Sequence, residues 1–165
     1  MEIRIVDFDA LTKNYKTYQD RILGLSKTRN SFIDRMDPIK QEMESIINAA
    51  NSGLILDRKS QEEKNARFSE LQEVAMEIDN EFKVTMKKEQ DEINKSTYDE
   101  LAEIITEWTK DKEIDMIIGK MEVVYAKDAI EITNEILDAL KEKGLYNEIS
   151  EEPVEKKNIV VEDLR

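Results

Sequence analysis

Histidine and cysteine are both absent from the 165 residues, so imidazole bases, thiol nucleophiles, disulfides and the common zinc ligands cannot be built here. Carboxylate, lysine and hydroxyl chemistry remains, but its residues are poorly spaced for catalysis. Glu62-Glu63, Asp91-Glu92 and Glu151-Glu152 are adjacent pairs; sequence neighbours point in different directions on a helix, so none forms a carboxylate dyad or a metal site. The four glycines make no phosphate-cradling loop, and Lys87-Lys88 reads as a solvated pair of charges. No enzyme, cofactor or metal ion is expected. A different chemistry is open to Met36, Met43, Met76 and Met86, whose flexible, polarizable thioethers can either fill a seam between helices or make adaptable apolar contacts with a partner.

Those methionines belong to a long helical stretch. From Leu11 onward, apolar or tyrosine positions recur by alternating steps of four and three: Leu11, Tyr15, Tyr18, Ile22, Leu25, Phe32, Met36, Ile39, Met43, Ile46 and Ala50. This is the seam of a helix packed lengthwise on another, with Arg29 its one charged member. Asp37-Pro38 predicts a kink, and Asn51-Ser52-Gly53 a helix end, because glycine accepts the left-handed conformation that closes a C-terminus. Leu54 to Lys59 would form the tip, and Ser60-Gln61-Glu62-Glu63 matches a capping box that starts the returning helix. The return seam runs through Phe68, Leu71, Ala75, Ile78, Phe82, Met86, Gln90, Ile93, Thr97 with Tyr98 beside it, Leu101, Ile104 and Trp108. Its step from Phe82 to Met86 breaks the alternation, so a uniform left-handed supercoil is not expected. A tip centred near Leu54 sets Tyr15 near Ile93, Ile22 near Met86, and Arg29 near a neutralising Asp79.

Short strands flank this stretch. Ile3 to Phe8 reads as one, Ile114 to Gly119 as a second and Val123 to Ala126 as a third, the last two joined at Gly119-Lys120 as a β-hairpin. Lys127-Asp128 would cap a closing helix with Ile130, Thr133, Ile136 or Leu137, and Leu140 on its face, stopped by Gly144. The fold expected is α+β and predominantly helical: residues 1–10 and 113–146 form a small β body, and residues 11–112 an antiparallel helical hairpin projecting from it, with its tip near 51–59. Three short strands and one helix cannot bury a sizeable core, so joining copies is the simple way to complete the body. Ile3, Ile5, Phe8 and Ile117, with Val123, Tyr125, Ile132 and Ile136, are the candidate oligomerisation residues. The polar tail, 147–165, holds Asn158-Ile159-Val160-Val161, which reads as disordered, as an added strand or as a docking peptide.

A net charge of −13 is unevenly spread: residues 1–50 are neutral, 51–112 carry −6, 113–146 carry −4 and the tail −3. Such a surface repels phosphate backbones and anionic lipid, which disfavours nucleic-acid binding. No stretch approaches the roughly 18 uninterrupted apolar residues of a membrane span. Met1-Glu2-Ile3-Arg4 enters a strand directly, without a secretory apolar region, so a cytoplasmic location is expected as written. A periplasmic one follows if the numbering is that of a mature form, and a virion is a further possibility.

The two ends carry a more specific signal. Ile3-Arg4-Ile5-Val6-Asp7-Phe8 resembles the opening strand of the Skp/OmpH family of chaperones, and Val123-Val124-Tyr125-Ala126-Lys127-Asp128-Ala129-Ile130-Glu131-Ile132-Thr133-Asn134-Glu135-Ile136-Leu137 is similar to that family's strand, tyrosine turn and helix start. Glu131 stands where the family usually has aspartate. The resemblance covers about residues 3–143. It implies a homotrimer in which strands from each chain build a shared body, and helical hairpins hang from it around a cavity that holds unfolded client protein without ATP. Candidate client contacts are then Met36, Met43, Leu54, Leu56, Met76 and Met86. Tentacles in the periplasmic members are commonly basic, whereas 51–112 is acidic here. The other reading is a structural or adaptor component on the same scaffold, such as part of a phage virion or its assembly machinery. A prefoldin-like arrangement fits less well, because its strands sit together between two helices.

Overall fold

The computed structural model describes residues 1–53 and 56–149. In chain order the elements are β1 (Ile3–Val6), α1 (Phe8–Asn14), α2 (Lys16–Asn51), α3 (Arg58–Thr109), β2 (Met116–Gly119) and α4 (Thr133–Glu142), with single 3-10 turns at Lys120–Glu122 and Asp128–Ile130. The fold is predominantly helical α+β, a long helical hairpin of α2 and α3 on a small parallel β part. At 1.5 Å per residue the 52 residues of α3 span about 78 Å. Its partner pairs run antiparallel: Glu42 meets Arg67 toward the tip, Arg35 meets Glu81 further in, and Arg21 meets Glu100 at the root.

Local chemistry sets the boundaries. Asp7 ends β1 by capping α1, its carboxylate accepting from Ala10 N at 3.0 Å, so Phe8 is the first residue of a helix rather than the last of a strand. The seam expected to be continuous from Leu11 is broken at Tyr15, whose extended backbone (φ −83°, ψ 111°) separates α1 from α2. α2 then runs unbroken through Pro38. Gly53, at φ +72°, follows its end. The returning helix starts earlier than the Ser60 capping box predicts: Asp57 is the cap, accepting from Ser60 N at 2.7 Å, because a carboxylate three residues upstream competes for the same amide.

The predicted register also shifts. Arg29 is exposed, and Asp79 pairs with Lys83 on its own helix at 2.6 Å, so the Arg29–Asp79 contact does not form. Arginine crosses the hairpin elsewhere. Arg35 is bidentate to Glu81 at 3.1 and 2.7 Å, and Arg67 to Glu42 at 2.7 and 2.9 Å. Phe32 packs edge-on against Phe82 at 5.4 Å, which places Ile22 well past Met86 toward the root.

The body differs from the predicted β-hairpin. β2 lies parallel to β1, with Ile3 opposite Met116, Ile5 opposite Ile118 and Val6 opposite Gly119. Parallel strands need a long crossover, and here the entire helical hairpin supplies it. Gly119 has ordinary extended geometry (φ −65°, ψ 137°) and leads into a 3-10 turn, so Gly119-Lys120 does not make the tight reversal that a two-residue hairpin requires. Consequently Val123 to Ala126 is not a strand, and the chain loops until Ile132 N donates to Ile5 O at 2.9 Å on the other side of β1. Thr133 opens α4, later than Lys127-Asp128 suggests. Its hydroxyl accepts from Asp7 N at 2.9 Å and donates to Glu131 at 3.0 Å. Gly144, at φ +69°, ends the helix as expected.

The core gathers Val6, Leu11, Tyr15, Leu101, Ile105, Ile132, Ile136 and Leu140, all buried. It therefore draws on the first turns of the outgoing helices and the last turns of α3, and the hairpin's root is part of the body. The sequence pattern at Asn158 to Val161 lies outside the described residues.

Candidate functional site

Two surfaces stand out, one along the hairpin and one at the edge of the body. Along the hairpin, the buried line is narrow: Leu25, Phe32 and Met43 are the buried residues of α2, and Leu71 and Ile78 those of the outer half of α3. A seam only one side chain wide leaves other apolar residues in water. Met76 is 66% exposed, Val84 69%, Leu23 63% and Tyr98 56%, although Tyr98 stacks one face on Phe8 at 5.0 Å. Of the candidate contact residues, Met76 is the freely accessible one. Met36, Leu56 and Met86 are half-buried, Met43 is in the seam, and Leu54 lies outside the described residues. Leu23, Val84 and Tyr98 were missed because they fall off the four-three alternation, and apolar residues that break such a pattern are themselves the signal of an exposed contact.

Ion pairs replace apolar burial on the flanks of this seam. Hydrogen bonds from Arg35 and Arg67 hold the carboxyls of Glu81 and Glu42 below the usual range. At the root the polar contacts are less exposed. Tyr15 donates to Glu100 at 2.8 Å, and Arg21 forks onto the same carboxylate while reaching buried Thr97 at 3.3 Å. The Arg21 guanidinium pulls the Glu100 carboxyl down, and burial pushes the Tyr15 phenol up.

At the body's edge the apolar surface is more concentrated. Val124 is fully exposed, Met121 is 85% and Tyr125 81% exposed, and Met116 is half in water. They lie on or just after β2, which among the described residues pairs on one side only. Of the candidate oligomerisation residues, Ile132 and Ile136 are consumed by the chain's own core and Ile5 is buried within the chain. Ile3, Phe8, Ile117 and Val123 are half-buried, which leaves Tyr125, with Val124 and Met121 beside it, as the side chains a neighbour could cover. A β-strand written for 123–126 hides this. On the loop that these residues form instead, the adjacent Val124 and Tyr125 are both exposed, which strand alternation would not allow.

Among the described residues no group of three His, Cys, Asp or Glu is placed to hold a metal, and no helix is long and apolar enough to cross a membrane. The family model described as "Outer membrane protein (OmpH-like)" matches residues 2–140. No curated protein matches the chain.

Proposed function

Because the chain belongs to the OmpH-like family, a family of non-enzymatic chaperones, we propose that it is an ATP-independent holdase that keeps non-native protein in solution between helical hairpins of a homotrimer. The family match over residues 2–140 carries this reading. Exposed Leu23, Met76, Val84 and Tyr98 are spaced along both helices, which suits many weak contacts with an unfolded chain rather than one fixed epitope. The cluster of Met121, Val124 and Tyr125 beside a strand that among the described residues pairs on one side only supports assembly: exposed apolar side chains at a sheet edge are best covered by another copy. The acidic hairpin surface favours client segments without strong negative charge.

Dilution of a denatured client into buffer with and without the protein tests the reading. A holdase suppresses light scattering at near-stoichiometric ratios without nucleotide, and the triple variant Leu23→Ser, Met76→Ser, Val84→Ser suppresses it several-fold less. Scattering unaffected by the wild-type protein would refute the proposal.

A further inference from the structure

The hairpin's two helices are mounted differently. α1 is fixed in the body by Leu11, which has no exposed surface, and α2 leads out along the hairpin; Tyr15 interrupts the helical ladder between them. α3 has no such break, and one helix carries Leu101 and Ile105 in the body and Leu71 in the hairpin. A change in the hairpin's tilt therefore has a ready joint on one side and a continuous rod on the other.

The segment after α4 lies across that joint and bonds to the end of α1 on one side and the start of α2 on the other. Gly144 turns the chain, Leu145 N donates to Leu140 O at 2.9 Å, and Leu145 O then accepts from Lys16 N, the first amide of α2, at 2.8 Å. Two residues on, Asn147 N donates to Asn14 O, at the end of α1, at 3.0 Å. Side chains close the same gap. Gln19 Nε2 donates to Lys13 O and to Asn147 O, each at 2.8 Å, and Asn147 Nδ2 returns a bond to Gln19 Oε1 at 2.7 Å. These bonds satisfy backbone groups that a helix start and a helix end leave orphaned, so the interrupted ladder is completed by a third segment. Tyr146 packs against the core and lies under Lys141 Nζ at 4.8 Å, which anchors the segment to α4.

We propose that Leu145–Asn147 is a strap that sets the hairpin's tilt on the body, and that peeling it, by anything that draws on the chain beyond Asn147, loosens the Tyr15 joint without unfolding the core. Asn147 is exposed and adds nothing to the apolar core, so its bonds to Asn14 and Gln19 at the strap's outer end can be lost while Leu101, Ile136 and Leu140 stay packed. The proposal concerns how the hairpin is mounted and stands apart from what the hairpin holds.

Asn147→Pro in the full chain deletes the amide bond to Asn14 O and the Nδ2 bond to Gln19 Oε1 but keeps the carbonyl that Gln19 Nε2 reaches, and Gln19→Ala removes the three Gln19 side-chain bonds while leaving the bond to Asn14. Hydrogen exchange followed by mass spectrometry is expected to show amides of residues 15–22 exchanging on the order of tenfold faster in Asn147→Pro and less so in Gln19→Ala, with residues 99–106 and 133–141 unchanged. Unaltered exchange at 15–22, or equal acceleration in all three segments, would overturn it. The absence of native cysteine allows a second readout: spin labels at Ser69→Cys and Lys127→Cys, in chains diluted with unlabelled copies. The ~50 Å lever of α3 from Ser69 to Leu101 should convert a loosened joint into a broader distance distribution, and an unchanged distribution would contradict the strap.

Discussion

The root of the hairpin and its outer half are made of the same two helices but are held by different forces. At the root, Leu11, Leu101, Ile136 and Leu140 have no exposed surface, and the polar groups among them are satisfied by one another. Beyond Phe32, Met43 is the one buried residue of α2, and Arg35–Glu81 and Arg67–Glu42 pairs flank the seam in water. Dense apolar packing gives cooperative rigidity, whereas a one-residue seam with screened ion pairs gives a limb that opens locally at small cost. A limb of that kind can adapt to a partner while its mount stays folded.

Substitutions can break this contrast, and the largest effect belongs to the root. Leu101→Ala should lower global stability by about 3 kcal/mol, read as a fall in the urea midpoint by circular dichroism, since it leaves a cavity where three elements meet. Leu71→Ala in the outer seam should cost about 2 kcal/mol locally: amides of 60–80 lose protection from exchange, while those of α4 keep theirs. Equal loss in both regions would mean that the molecule unfolds as one unit. Glu100→Gln at the root should cost about 1 kcal/mol, discounted because both partners are partly exposed.

That pair also sharpens the contrast through pH. Glu100 has its carboxyl pKa depressed in the folded chain, so its contribution is complete above the unfolded value of about 4.3 and disappears as the pH falls through the lower folded value. Wild type and Glu100→Gln, followed by urea titration, should therefore differ most above about pH 5 and converge only once the pH has fallen through the depressed folded value. The smallest effect is outermost: Arg67→Ala should barely move the urea midpoint, and about 0.5 M salt should remove most of the difference.

Much of this arrangement was readable from periodicity alone. Alternating fours and threes put Leu25, Phe32 and Met43 on the buried side of α2 and Leu71 and Ile78 on that of α3, because a two-helix seam repeats every few residues and averages over local irregularities. Register was not, since it hangs on the tip and on where each helix starts, and Asp57 displaced Ser60 as the cap. The parallel pairing of β1 with β2 was hidden for another reason. Short apolar runs such as Met116 to Gly119 state that a strand forms but not which neighbour it takes, and that choice depends on Ile5 bonding Ile132 from the far side. Of the candidate surfaces, Tyr125 and Met76 were visible as residue types, whereas Leu23 and Val84 needed the geometry. The Tyr15 joint lacked any signal, because tyrosine fits the seam and neither glycine nor proline marks the break.

The most direct measurement is the mass of the protein in solution by light scattering behind size exclusion, alone and then with an unfolded client. A trimeric holdase predicts about 58 kDa alone, three times 19.3 kDa, and a soluble species heavier by one client after mixing. A monomer, or a trimer whose mass does not change while the client precipitates, would contradict it.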